Sequence, residues 1–243
     1  MILTVLIGNS RTRFVWFDNQ GIVRRMIVPT TKVIESLERL RLTKDTRGAA
    51  VASVVPKLTL PVYRRLCQET PTLLVGATTK TPLRFHYDRR ALGADRVCVA
   101  VGAYTLYKKN LIIIDFGTAI TFNIVKRNGD FLGGPILPGA EMLLSCLAEK
   151  TARLPRVGFL ASNKVICRTT KPAIQTGVFN LLRSGLNDII KRICIETGES
   201  YFVVATGGLA QRFGCHLRSI KVVDEDLGSK GLREIFYLNK EVR

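Results

Sequence analysis

The stretch VLIGNSRTRFVWF, residues 5–17, decides how this chain is read. Apolar residues run up to Gly8, two small polar residues follow at Asn9 and Ser10, and a second apolar run ends at Phe17. That pattern is a strand, a tight polar turn and a returning strand. The chain repeats it as IIIDFGTAITFNIV, residues 112–125. Laying Gly8 on Gly117, an offset of 109 residues, puts Leu6 on Asp115, Asn9 on Thr118, Thr12 on Thr121 and Asn19 on Asn128. Both copies read as strand, turn, strand, turn, strand and then helix, so the chain is expected to hold an internally duplicated α/β unit. The copies differ most at Leu6, where one turn follows a leucine and the other a carboxylate.

Working outward, hydrophobic periodicity predicts strands over 2–7, 12–17 and 22–28, a helix over 31–42, a buried strand over 49–55 and a helix over 58–67. A short strand follows at 72–75 and a helix at 93–107. The second copy has strands over 111–114 and 119–125, an Asn128-Gly129 turn and a third strand from Phe131. Helices are expected over 138–149, 175–195 and 227–238, with a strand over 201–205 that runs into Thr206-Gly207-Gly208.

The chain has 243 residues, 47% of them hydrophobic, enough for one large or two small domains. Its 37 Lys and Arg stand against 19 Asp and Glu, a formal net charge of +18. That excess favours nucleotides, phosphorylated metabolites or nucleic acid as partners. The basic residues are scattered in pairs such as Arg24-Arg25 and Lys108-Lys109, without aromatic interleaving. A solvated basic surface is therefore expected before a nucleic-acid site. Apolar runs are far shorter than a membrane span, and the N-terminus lacks the pattern of a signal peptide, so a cytoplasmic protein without a membrane partner is expected. No two of the six cysteines share a C-x-x-C spacing, and His86 and His216 stand on no motif, which points to reduced thiols and structural histidines.

A glycine at a strand turn lets the backbone approach a ligand, and successive N–H groups form a concavity for anions. Gly8-Asn9-Ser10 and Gly117-Thr118 both suit a phosphate, although each alone is also an ordinary hairpin. Their pairing, with Gly133-Gly134-Pro135 and Thr206-Gly207-Gly208 after strands, favours nucleotide binding. Asp115 ends an apolar strand, where a carboxylate is costly unless it pairs, binds a cation or borders a cleft. Asp95, in LGADR, is either a first-turn acid that complements the helix dipole or a general base for a substrate hydroxyl.

Together these pieces resemble the type III pantothenate kinases of the acetate kinase/sugar kinase/Hsp70/actin superfamily. The resemblance rests on LGADR (92–96), DFGTAITF (115–122), GDFLGGPILPG (129–139), TARLP (151–155), AIQTG (173–177), TGGLA (206–210) and DLGSKGL (226–232). It implies an α/β chain with a duplicated ribonuclease H-like, actin-like ATPase fold: two lobes, 1–109 and 110–243, each a mixed sheet flanked by helices, with ATP in the cleft between them. It implies transfer of the γ-phosphoryl group of ATP to pantothenate, the first step of coenzyme A synthesis. In that scheme Asp95 is the base; Tyr87, Gly93, Ala94, Arg96 and Thr170 contact pantothenate; and Gly8, Asn9, Ser10, Gly117, Thr118, Gly207 and Gly208 hold the nucleotide. Asp115 is the ligand of a monovalent cation, K⁺ or NH₄⁺. Mg²⁺ accompanies ATP, and the enzyme is a homodimer.

The chain departs from the family at several places. The usual D-x-G-N-T of the first turn is Leu6-Ile7-Gly8-Asn9-Ser10. Val99 stands for Asn, Asn123 for Asp, Cys167 for Gly and Lys230 for Glu. Leucine can neither bind a cation nor orient water, so impaired turnover is expected, on the scale of roughly 10²–10³ for one lost electrostatic contribution. Returning the carboxylate, Leu6→Asp, is then expected to raise activity. The alternatives are a catalytically weak or inactive relative with a regulatory role, in contact with nucleic acid, and a kinase for another hydroxylated substrate.

Overall fold

The computed structural model describes residues 1–162 and 164–240. The chain runs β1 (Ile2–Ile7), β2 (Arg11–Phe17), β3 (Ile22–Pro29), a single 3₁₀ turn (Thr30–Lys32), α1 (Val33–Arg39), β4 (Gly48–Ser53), α2 (Pro56–Cys67), β5 (Thr72–Leu74), β6 (Arg84–Phe85) and α3 (Ala94–Tyr107). It continues β7 (Leu111–Phe116), β8 (Ala119–Val125), β9 (Asp130–Gly133), β10 (Ile136–Pro138), α4 (Ala140–Lys150), α5 (Thr170–Thr197), β11 (Phe202–Thr206), α6 (Ala210–Gly214), β12 (Ile220–Val223) and α7 (Leu227–Lys240). Two compact units divide it: one of Met1–Lys108, Val125–Gly133 and the chain from Asp226 on, the other of Lys109–Ile124 and Gly134–Glu225.

In the first unit the sheet order is β3-β2-β1-β4-β5. The hairpins β1–β2 and β2–β3 are antiparallel, and β4 and β5 add in parallel. Side chains alternate along a strand. Leu3, Val5 and Ile7 of β1 accordingly join Phe14, Trp16, Val33, Leu37, Val62 and Leu66 in the core cluster with α1 and α2. The opposite face is covered by α3 and α7. These helices cross so closely that a Cβ on Gly102 or Gly231 would run into the backbone of the other helix, so only glycine permits the approach. Lower on the sheet the ring of Phe236 fills the place where a Cβ on Gly48 would lie.

In the second unit β12, β11, β7 and β8 are successive neighbours, with β10 antiparallel to β8. β7 pairs in parallel with β11, and β11 with β12. Leu111, Ile112, Ile113 and Ile114 are all fully buried, as an apolar run between covered faces requires. Phe213 of α6 stacks on Phe116 at 4.8 Å and on Phe159 at 5.1 Å. The order β8-β7-β11-β12 reproduces β2-β1-β4-β5, and the duplication read from the two turns is present in the strand pairing itself.

The expected elements are present, with shifted ends. α1 stops at Arg39 rather than Leu42 because Leu40 turns extended and buries itself in the core cluster. α5 begins at Thr170, five residues before its apolar periodicity starts. Pro172 lies in its first turn, where a missing N–H costs nothing. β6, β10, α6 and β12 were not anticipated; each has at most five residues, too few for a periodic signal. All six cysteines are free thiols. No helix among the described residues is long and apolar enough to cross a membrane.

Candidate functional site

The first turn is built tightly. Gly8 N–H donates to Arg11 O at 3.1 Å across Asn9 and Ser10, both exposed. Thr30, the first residue of the 3₁₀ turn after β3, braces it: its hydroxyl donates to Gly8 O at 2.7 Å, and its N–H to Ser10 O at 3.1 Å. Thr12 and Thr30 exchange a hydroxyl hydrogen bond of 3.1 Å. Behind the turn, Leu6 pairs with Ala52 of β4.

The second turn has the same strand geometry with different chemistry behind it. Asp115 pairs with Thr206 of β11, the register that Leu6 has with Ala52. Gly207 has φ +94°, in the left-handed region, and a Cβ there would collide with Asp115 Oδ1 and lie 2.7 Å from the Phe116 backbone. The β11–α6 turn thus lies directly on Asp115, and Leu209 N–H reaches Phe116 O at 3.4 Å. Thr118 is exposed at the tip, and its carbonyl accepts Gly139 N–H at 3.1 Å. Asp115, Gly117, Thr118 and Gly207 are therefore gathered at one end of β7, and Gly208, exposed, follows Gly207 there. Thr170 is exposed at the first position of α5.

The remaining candidates gather in the first unit at the start of α3. Gly93 is the N-cap, Ala94 the first helical residue, and Asp95 and Arg96 follow in the first turn. Asp95 Oδ1 accepts Arg96 N–H at 2.8 Å. A Cβ on Gly93 would lie 2.5 Å from that oxygen, so glycine leaves room for the carboxylate to fold over the helix end. Burial raises the Asp95 carboxyl above the ordinary carboxylate range, against the opposing effects of the Arg96 N–H bond and positive charge. Arg96 is 5% exposed. Its guanidinium lies 5.6 Å from the Tyr87 ring and 6.0 Å from the Phe131 ring. Burial lowers its pKa, and Tyr87 and Asp95 oppose that shift. Tyr87 stands edge-on to Phe131 at 6.4 Å and occupies the space beside Gly133, whose φ is +92°.

This corner can accept a carboxylate at Arg96 and take a proton from a hydroxyl at Asp95. Phe131 was not singled out from the sequence as a site residue; its place between two motif glycines was the available signal. His86 Nε2 lies 3.1 Å from Asp130 Oδ1, and His216 stands edge-on to Phe179. A separate groove of about 520 Å³ is lined in part by Phe17, Arg25, Gly102, Lys230, Arg233 and Glu234. Phe17 pairs with Ile2, at the end of the first hairpin away from Gly8, so this groove is distinct from the first turn.

Comparison with known proteins places this geometry in a family. The family model for type III pantothenate kinase matches residues 2–192. The type III pantothenate kinase of Geobacter sulfurreducens is 35% identical over 99% of this chain and 100% of its own length. That of Citrifermentans bemidjiense is 34% identical over 99% and 100%. Among solved structures, a protein provisionally named a Baf family transcriptional activator, from Campylobacter jejuni, has a TM-score of 0.68 at 20% identity, covering 98% of this chain and 99% of its own. The ADPNP-bound activator of 2-hydroxyisocaproyl-CoA dehydratase from Clostridium difficile has a TM-score of 0.53 at 15% identity, covering 100% and 98%. The structural likenesses establish the duplicated ribonuclease H-like fold; the sequence matches establish that the chain belongs to the type III pantothenate kinase family.

Proposed function

We propose that the chain transfers the γ-phosphoryl group of ATP to the primary hydroxyl of pantothenate, as a cytoplasmic homodimer. The observation that carries this reading is the Asp95–Arg96 corner: a half-buried carboxyl, raised above the ordinary carboxylate range by desolvation, beside a buried guanidinium faced by two aromatic rings. Arg96 pairs with the pantothenate carboxylate, and Tyr87, Gly93, Ala94 and Thr170 position the rest of the molecule. The substrate hydroxyl donates to Asp95, which takes the proton as the oxygen attacks the γ-phosphorus. A new O–P bond forms, the bond from the γ-phosphorus to the β–γ bridging oxygen breaks, and ADP leaves.

Phosphoryl transfer depends on positioning and on offsetting charge more than on covalent catalysis. The positioning is assigned to the turn residues Gly8, Asn9, Ser10, Gly117, Thr118, Gly207 and Gly208. Asp115 suits a monovalent cation, since the carboxylate lies against a glycine whose side-chain space it uses, with the Thr206 strand neighbour beside it. Asp115 would hold K⁺ or NH₄⁺, which, with the Mg²⁺ that accompanies ATP, would supply positive charge against the charge that develops on transfer. Leu6 leaves the first turn without a carboxylate, which slows turnover relative to a chain that carries one.

The test is ADP formation by the purified protein with ATP and Mg²⁺, with and without pantothenate and K⁺, and mass spectrometry of the product. Pantothenate-dependent ADP and a phosphorylated product are expected. Their absence, under conditions where a relative turns over, overturns the reading. The net charge of +18 favours one second reading, a weak or inactive relative that contacts nucleic acid. That reading requires salt-sensitive binding in a mobility-shift assay.

A further inference from the structure

The groove between the outer strands β2 and β3 and the helices α3 and α7 has no part in the proposed reaction. Its volume of about 520 Å³ suits a small organic molecule. Three cations line it, Arg25 of β3 and Lys230 and Arg233 of α7, against one carboxylate, Glu234. Acids hold both arginines in place. Arg25 donates to Asp226 Oδ2 through Nε at 2.9 Å and Nη2 at 2.7 Å. Arg233 donates to Glu234 Oε1 through Nε at 3.2 Å and Nη2 at 3.0 Å, and its guanidinium lies 4.9 Å from the Phe17 ring. Guanidinium forks fixed in this way are pre-organised for an oxyanion. Lys230 is half-buried and stands where the family usually has Glu. A carboxylate there would cancel the lining charges, whereas lysine leaves an excess of two positive charges. The β2–β3 turn adds few free amides, because Asp18 Oδ1 accepts the N–H groups of Gln20 and Gly21 at 2.8 and 2.9 Å. Side chains therefore carry the recognition. The remaining wall is in part apolar: Leu106, near the end of α3, is 51% exposed, and Ile22 is half-buried.

We propose that this groove binds an organic phosphate monoester with a compact apolar body. The phosphate lies among Arg25, Lys230 and Arg233, and the body covers Leu106 and Ile22. A phosphate monoester carries about two negative charges near neutral pH, which matches the excess in the lining. A bare phosphate would leave most of the volume, and the leucine, to water. The groove is separate from the candidate site described above. Phe17 marks the end of the first hairpin away from Gly8, and Leu106 stands at the opposite end of α3 from Asp95.

The test is calorimetric titration of the full chain with phenyl phosphate, in the presence of a saturating non-hydrolysable ATP analogue and pantothenate. One phenyl phosphate per chain is expected to bind with those ligands present. Inorganic phosphate lacks the apolar body and benzoate has a single charge, so each is expected to bind about tenfold more weakly. Lys230→Glu, which makes the lining neutral, is expected to weaken phenyl phosphate about tenfold. Leu106→Ala is expected to narrow the margin of phenyl phosphate over inorganic phosphate. Thermal denaturation checks that the variants fold; should Lys230→Glu fail, Lys230→Gln takes its place with the same direction of effect. Absence of binding, displacement by the ATP analogue, or unchanged affinity in a folded Lys230 variant overturns the proposal. Equal affinity for phenyl phosphate and for inorganic phosphate or benzoate overturns the assignment of ligand class. None of these measurements requires turnover, so the groove and the kinase reading fail separately.

Discussion

The two turns share their strand arrangement and differ in what stands behind it. In each, a central strand enters the turn, returns antiparallel, and has a parallel neighbour on its other side. Position for position, Leu6 beside Ala52 answers to Asp115 beside Thr206. Behind the first turn Leu6 and Val99 approach Gly228, with Arg13 the cross-strand neighbour of Leu6; behind the second lies a carboxylate pressed against Gly207. Duplication thus conserves backbone pairing, because that depends on strand alternation, while the side chain behind the turn is free to diverge. One turn has a carboxylate at that position and the other a leucine.

The largest expected effect separates both turns from Asp95. Asp95→Asn is expected to lower kcat by roughly 10²–10⁴ and leave ATP-analogue affinity nearly unchanged, as steady-state kinetics and calorimetry can show. A comparable loss of nucleotide affinity would place Asp95 with the turns instead. The same variant bears on stability. Because the folded-state pKa of Asp95 is raised, the folded chain binds more protons than the unfolded one between the two pKa values, and stability falls as pH rises through that window. Above it the charged form carries a penalty that asparagine lacks, so the thermal midpoint of Asp95→Asn at neutral pH is expected above that of the parent.

Next comes the substitution that makes the second turn copy the first. Asp115→Leu is expected to lower kcat/KM by roughly 10²–10³ and to abolish stimulation by K⁺. Retained stimulation would show that the cation is held elsewhere and that the turns differ less than their side chains suggest.

A third pair compares the glycines that close the two sites. Gly207→Ala must hold a Cβ at φ +94° against Asp115 and the Phe116 backbone, and is expected to cost about 3 kcal/mol, roughly a 6–12 °C fall in midpoint. Gly228→Ala meets only the methyl ends of Leu6 and Val99 and gains helix propensity, so its cost is expected below about 1 kcal/mol. Equal losses in thermal denaturation would remove this part of the contrast.

The smallest effect is a shift of profile. With its pKa raised by burial, Asp95 becomes protonated at a higher pH than an ordinary carboxylate. The acid limb of kcat/KM is therefore expected above the ordinary carboxylate range, and a limb within that range would contradict the assignment of Asp95 as base.

Much of this was legible in the sequence because it is local. Alternation around Gly8 and Gly117 located both hairpins, and LGADR located the start of α3. The misses have physical causes. Ile220–Val223 joins the second sheet as four partly exposed residues, a strand defined by its neighbour β11 rather than by a pattern of its own. Thr170–Ala173 extends α5 without apolar spacing, held by the helix that follows. The sequence pattern marks Phe131 only as the start of a strand; its ring against Tyr87 and Arg96 depends on a fold that brings residues 87, 96 and 131 together.

The sequence by itself determined the two turns, their shared register and the residue types on offer at each, since strand period and turn chemistry act over a few residues. Only the tertiary structure decided what those residues meet. The burial that raises Asp95, the seating of Asp115 against Gly207 and the approach of Leu6 and Val99 to Gly228 join parts of the chain as much as 222 residues apart. Desolvation and contact depend on distance in space, and no local pattern encodes them.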